Sequence, residues 1–200
     1  MKKRIFFAIC MTALAGALSL SACGGKNVYK KLNELAEKDY DEVRLKVTTE
    51  TDGETLHASY RAVSVAEGIT VTYSCEQLNP IGTDENGDYV LPDTAITTLQ
   101  GEILVKDGKT VKVDGDDIAL SPQTVTAAGL RFSADIFEDE ETTDTSFKAK
   151  VNSPAAFLRE SNLVASNMTV VVEYTDRALT SLMITYTTQT GSVTMQYTFA

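Results

Sequence analysis

The feature that most constrains the fold is the alternation of apolar and polar residues near the C-terminal end of the sequence. Three successive runs place apolar side chains at every second position, with turns at Asp176-Arg177 and Thr190-Gly191 between them. The apolar positions are Met168, Val170, Val172 and Tyr174, then Leu182, Ile184 and Tyr186, then Val193, Met195, Tyr197 and Phe199. A period of two indicates strands with one buried and one solvated face, as in antiparallel sheets. This region is predicted to form an antiparallel meander.

Residues 27–40 show a helical pattern, and the same alternation of apolar and polar residues begins after them. Three strands are predicted next: one that begins at Val43, one that contains Tyr60 and one that contains Tyr73. Asp52-Gly53 is a strong hairpin signal between the first two. A second hairpin is expected over residues 101–113, with its tip at Asp107-Gly108. The fold class predicted from these patterns is α+β, dominated by an antiparallel sheet.

Other segments give weaker signals. Residues 79–93 are rich in turn formers and are predicted to be a loop, and the acidic residues at 138–144 are predicted to form another. Residues 125–132 are a weaker strand candidate. Ser153-Pro154 is typical of a helix start and predicts a short helix over 153–161, with Ser153 as its N-cap.

The apolar face of this sheet is wider than the predicted helices can cover. Eight strands spaced about 4.8 Å apart make a sheet roughly 38 Å wide. Two helices of about 10 Å diameter cover about 20 Å of it. The sheet therefore closes on itself, splits into a sandwich, or curls halfway and leaves a hollow for an apolar ligand. The patterns leave all three outcomes open.

The N-terminus is typical of an export signal. Lys2, Lys3 and Arg4 precede an uncharged apolar stretch that is too short to span a bilayer, where about 20 apolar residues are needed. We predict a signal peptide at 1–22, a tether at 23–26 and a single domain at 27–200.

The residues at the end of this signal, Leu20-Ser21-Ala22-Cys23, resemble the lipobox of bacterial lipoproteins. The resemblance implies cleavage before Cys23 and attachment of diacylglycerol to its sulfur. A secretory signal that merely ends near a cysteine is the alternative. We expect a cell-membrane protein, lipid-anchored on the extracytoplasmic side, whose membrane contact is made through this lipid.

The order of elements resembles the LolA/LppX superfamily of envelope proteins. The resemblance rests on "EVRLKVTTETDGETLHASY", "SPAAFLRES" and "MTVVVEYTDRALTSLMITYTTQTGSVTMQYTF", in that order after a lipidation signal. It implies a curved antiparallel sheet, a half-open barrel with helices packed on its concave face, that holds acyl chains or lipids there. A soluble shuttle role, known in some members, does not agree with the predicted anchor.

The candidate ligand-lining residues are the large side chains on the predicted apolar face. They are Tyr60, Tyr73, Tyr174, Ile184, Tyr186, Met195, Tyr197 and Phe199. The alternative for each is ordinary core packing. Tyrosine hydroxyls on a buried face favour a partly wet cavity, because each needs a hydrogen-bond partner.

Charge and residue usage argue against several other functions. The formal net charge of −10 disfavours nucleic acid as a partner. The single histidine, His57, alternates with solvated residues, and Cys75 shares the apolar face, so we expect neither a catalytic residue nor an enzyme. No cofactor or metal is predicted, because Asp and Gly at 84–88 and 114–117 are explained by turns better than by calcium.

The functional hypothesis is a membrane-anchored lipoprotein that binds or transfers a lipid or acylated ligand. The alternative is a cell-surface interaction module with a closed β core, whose acidic loops meet an unidentified protein or wall polymer.

Overall fold

A computed structural model of the chain describes residues 28–51, 53–92, 94–107, 109–116, 118 and 125–200. The predicted signal peptide, the tether and Cys23 lie outside these residues. Within the described ranges, no helix is both long enough and apolar enough to cross a membrane.

The main element is a ten-stranded antiparallel sheet, accompanied by a small two-stranded ribbon, β4–β5. The order across the large sheet is β7-β6-β3-β2-β1-β12-β11-β10-β9-β8. The strands are β1 Glu42–Thr51, β2 Glu54–Val65, β3 Gly68–Leu78, β4 Gly82–Thr83, β5 Tyr89–Val90, β6 Ile96–Lys106, β7 Lys109–Gly115, β8 Phe137–Thr142, β9 Ser146–Val151, β10 Ser166–Tyr174, β11 Leu179–Thr187 and β12 Gly191–Phe199.

The sheet consists of two meanders that meet at its centre. Each meander is built from strands that follow one another in sequence, apart from the small β4–β5 ribbon inserted between β3 and β6. The first strand of one meander pairs with the last strand of the other. β1 and β12 pair in register from Val43 opposite Phe199 to Thr51 opposite Gly191. In the described residues β7 and β8 are the two outer strands, so the sheet is curved but not closed.

The alternation seen in the sequence separates the two faces of this sheet. Val43, Leu45 and Val170 are among the residues buried on the inner face, and no polar or charged residue of the described chain is fully buried. The outer face carries threonine, serine and charged side chains. The predicted half-open barrel is therefore confirmed as the fold class, and the closed core of the alternative hypothesis is not what the sheet forms.

Two helices cover part of the inner face. The first, α1, includes residues 28–36 and buries Val28, Leu32 and Leu35. Its Tyr29 ring stacks on Phe137 with ring centroids 5.9 Å apart. The second, α2, is Pro154–Leu158 and buries Phe157. Helices on the concave face agree with the predicted arrangement.

Three local expectations differ from the structure. Residues 125–132 are not a strand: 125–126 form a helical turn, and the chain then runs irregularly across the inner face. Residues 138–141 are not loop but part of β8, where Lys150 pairs with Asp139 at 2.5 Å across the strands. The region 79–93 contains the β4–β5 ribbon.

The helix near residue 153 is shorter than expected. It ends at Leu158 rather than residue 161, and Arg159 follows in the left-handed conformation with φ of 54°. Ser153 makes no side-chain capping hydrogen bond, so Pro154 in the first turn is the part of the predicted start signal that is present.

Candidate functional site

A cavity of about 560 Å³ lies between the inner face of the sheet and the chain segments that cross it. Its floor is made by β1, β2, β11 and β12. We call its cover the roof, which consists of residues 128–132 and 157–160. The lining residues are Leu45, Val47, Thr49, Tyr60, Ala128, Gly129, Leu130, Leu158, Arg159, Glu160, Tyr186, Val193, Met195 and Tyr197. The volume is within the range of about 300–1,000 Å³ typical of small-molecule sites.

The roof is held in place by hydrogen bonds to backbone groups. The Asn33 side chain on α1 donates from Nδ2 to the Phe132 carbonyl at 2.7 Å and accepts from the Phe132 N–H at 3.0 Å. The Arg131 N–H donates to the Phe157 carbonyl at 3.0 Å and links the two halves of the roof. The backbone N–H and carbonyl of Phe132 and the N–H of Arg131 are thus satisfied without joining the sheet.

The cavity lining becomes more exposed toward the end of the sheet where β1 turns into β2 and β11 turns into β12. Along β1, Leu45 is buried, whereas Val47 and Thr49 are half-buried. Along β11, Ile184 is fully buried and Tyr186 is half-buried. We therefore place the deep end of the cavity at Leu45 and its mouth beside Thr49 and Tyr186.

The floor is apolar with a few hydroxyl groups. Burial raises the pKa of Tyr60, Tyr186 and Tyr197, and the Glu160 carboxylate adds to the increase at Tyr186 and Tyr197. The Cys75 thiol donates to the Tyr60 hydroxyl at 3.2 Å. These hydroxyls remain neutral over the physiological pH range, so the floor carries no charge.

Four of the eight predicted ligand-lining residues are brought together at this cavity. Tyr60, Tyr186, Met195 and Tyr197 all line it.

The other four lie elsewhere. Tyr73 is buried, with its hydroxyl donating to the Asp116 carbonyl. The Tyr174 hydroxyl donates to Thr143 O at 3.0 Å, and its ring lies under the Lys31 ammonium. Ile184 is fully buried among its strand neighbours, and Phe199 packs against Tyr40 with ring centroids 4.8 Å apart. Binding at any of the eight stays a prediction.

Sequence reasoning missed the roof and part of the floor. Leu45, Val47 and Val193 share the alternating apolar face with the predicted residues, so the signal for them was present. Residues 128–130 gave no such signal, because they belong to irregular chain next to Phe132, which α1 holds through Asn33. Residues 158–160 lie at and just after the end of α2, where no alternating pattern is present.

Of the residues considered for catalysis or metal binding, His57 lies on an exposed strand face and Asp84 lies in a turn. His57 is exposed on β2, and its backbone N–H donates to Glu76. The Asp84 carboxylate accepts from the N–H groups of Asn86 and Asp88, a turn geometry that also lowers its pKa. Within the described part of the chain, no group of three or more His, Cys, Asp or Glu side chains is arranged to hold a metal ion.

The fold and the site together define a class: a half-open antiparallel barrel with an apolar cavity on its concave side. No family model matches the chain, and no curated protein matches it either. Among solved structures, one of a candidate outer membrane lipoprotein-sorting protein domain from Vibrio parahaemolyticus is similar over 86% of this chain and 88% of its own. The identity is 8% and the TM-score 0.24, too low for an inference about function.

Proposed function

We propose that this chain is a membrane-anchored, extracytoplasmic lipoprotein that binds or transfers a lipid or acylated ligand in the concave cavity. The observation that supports the proposal is the cavity of about 560 Å³ on an apolar floor, open at one end. A single acyl chain entering at Thr49 and Tyr186 would reach Leu45 at the deep end. The predicted lipid on Cys23 would keep this binding site close to the membrane.

Affinity in such a site would come from removing the acyl chain from water. Each buried CH₂ group contributes about 0.8 kcal/mol, which corresponds to about a fourfold change in the dissociation constant. The proposed binding needs no cofactor and no covalent step, because the floor offers contact surface and neutral hydroxyls only.

A chain-length series tests the proposal. Monoacylglycerols with 8, 10, 12 and 14 carbons would displace the neutral dye N-phenyl-1-naphthylamine from the purified full chain, below their aggregation concentrations. We expect affinity to rise about fourfold per CH₂ group and then to level off when the cavity is filled. Absence of dye binding, or an affinity that does not depend on chain length, would contradict the proposal.

A second function, a surface interaction module, is favoured by the β4–β5 ribbon. Tyr89 of β5 is 84% exposed, the flanking residues Ile81 and Leu91 are 60% and 74% exposed, and Asp84 and Asp88 lie in the turn of the ribbon. Exposed apolar groups beside charged ones are typical of protein-binding surfaces. A photoreactive residue at position 89 should crosslink one defined protein in cells, whereas the same residue at the exposed position Thr198 on β12 should not.

A further inference from the structure

We propose that the cavity prefers amphiphiles with a zwitterionic head, because its rim carries one positive and one negative side chain, Arg159 and Glu160, next to each other. This inference rests on the proposed function and names the class of ligand for the same site. Among the described residues that line the cavity, these two are the only ones whose side chains carry charge at neutral pH.

The end of α2 places both residues at the rim. Leu158 is the last helical residue and is half-buried against the cavity. Arg159 takes the left-handed conformation, and the N–H of Glu160 donates to the Ala155 carbonyl at 3.0 Å. The chain therefore turns immediately after Leu158, which leaves Arg159 and Glu160 exposed where the roof meets solvent.

Among the described residues, no side chain forms an ion pair with Arg159 or Glu160. The six ion pairs found in the described part of the chain involve Lys30, Lys31, Arg44, Arg61, Lys148 and Lys150 with acidic partners other than Glu160. Arg159 and Glu160 thus lie outside every ion pair there, and both remain available to a ligand. The Glu160 carboxylate is close enough to contribute to the raised pKa of Tyr186 and Tyr197 in the cavity wall.

The two charges select a head group by their opposite signs. An anionic head gains from Arg159 but is opposed by Glu160 and by the net charge of −10. An uncharged head gains from neither residue. A zwitterionic head whose acyl chain lies on the floor can place its anionic group near Arg159 and its cationic group near Glu160. Since exposed ion pairs contribute little each, we expect a preference of about two- to fivefold.

The test compares three myristoyl amphiphiles that share one acyl chain. Lysophosphatidylcholine, lysophosphatidylglycerol and monomyristoylglycerol would displace N-phenyl-1-naphthylamine from the purified full chain in 0.15 M salt, which screens the long-range field. Lysophosphatidylcholine should bind about two- to fivefold more tightly than the other two. Arg159→Gln should reduce the preference over monomyristoylglycerol, because both phospholipids lose the same attraction. Glu160→Gln should reduce the preference over both competitors and should also strengthen lysophosphatidylglycerol binding.

Matched controls are Lys30→Gln and Glu34→Gln, which remove the same charges from the exposed face of α1. They should leave all three affinities unchanged. Equal binding of the three amphiphiles, or tightest binding of lysophosphatidylglycerol, would overturn the head-group inference and leave the proposed carrier function standing. If the dye and all three amphiphiles fail to bind, the proposed function fails as well.

Discussion

The side-chain amide of Asn33 is hydrogen-bonded to both the N–H and the carbonyl of Phe132, 99 residues later in the chain. The Asn33 side chain thus satisfies both backbone groups of Phe132, as the backbone of a neighbouring strand would in a sheet. The position of the roof over the cavity depends on this pair, because residues 128–130 lead directly into Arg131 and Phe132, which are bonded to Phe157 and Asn33.

Replacing Asn33 should therefore destabilise the fold and loosen the roof. Asn33→Ala leaves two part-buried backbone groups without their partner, and each such loss costs about 1–3 kcal/mol. Urea unfolding should show a clear decrease in the free energy of unfolding. The matched control, Asn162→Ala at an exposed position, should change it by less than about 0.5 kcal/mol. Equal stabilities of the two variants would show that the hydrogen bonds between Asn33 and Phe132 have no structural role.

Filling the cavity should reduce binding without unfolding the protein. Val193→Phe adds a ring that extends from β12 into the empty volume, so we expect at least a tenfold loss of affinity for monomyristoylglycerol. Its control is Gln196→Phe, on the exposed face of the same strand. Both variants should unfold near the wild-type urea midpoint. Unchanged binding by Val193→Phe would place the ligand elsewhere.

The centre of the sheet should be sensitive to a single methyl group. A Cβ at Gly191 would lie 1.6 Å from the carbonyl oxygen of Glu50 on β1, so Gly191→Ala forces the two strands apart. Gly53→Ala meets no atom within 4 Å and is opposed only by its φ of +85°, at about 1–2 kcal/mol. Thermal and urea unfolding should therefore rank Gly191→Ala as the more damaging of the two.

Alkaline pH should unfold the protein through its buried tyrosines. Desolvation raises the pKa of Tyr40, Tyr60, Tyr186 and Tyr197 in the folded state. Stability is thus fully present below the unfolded-state value near 10 and is lost as pH rises above it. Tyrosinate absorbance and the loss of sheet signal should rise together above about pH 10. Ionisation of all tyrosines in a still-folded protein would contradict this prediction.

Cys23 should carry the membrane anchor. Cells that produce the chain should incorporate an alkyne-labelled fatty acid into the wild type but not into Cys23→Ser, and only the wild type should remain with membranes after a high-salt wash. Cys75→Ser is the matched control, because that thiol lies in the sheet beside Tyr60. Labelling of Cys23→Ser would remove the basis for the anchor.

The sequence was sufficient to predict most of the long strands and their faces, because the side-chain period of two is a local property. The sequence could not show how deeply each residue on the inner face of a strand is buried. Ile184 and Tyr186 share a face, yet one is sealed in the core and the other is at the cavity mouth, since the roof covers only part of β11. The β8 strand was missed for a similar reason: its acidic side chains are accommodated by Lys148 and Lys150 of β9, which only the strand pairing brings alongside.

The pairing of β1 with β12 makes assembly of the sheet depend on two strands that lie at opposite ends of the described chain. Without residues 191–199, β1 and β11 lack their partner strand and the cavity floor is incomplete. The chain between β1 and β12, which must close as a loop, is almost as long as the domain. A chain that lacks β12 therefore stays short of its native state. Removal of β12 would therefore split the sheet into two incomplete halves, whereas removal of an outer strand would only make the sheet narrower.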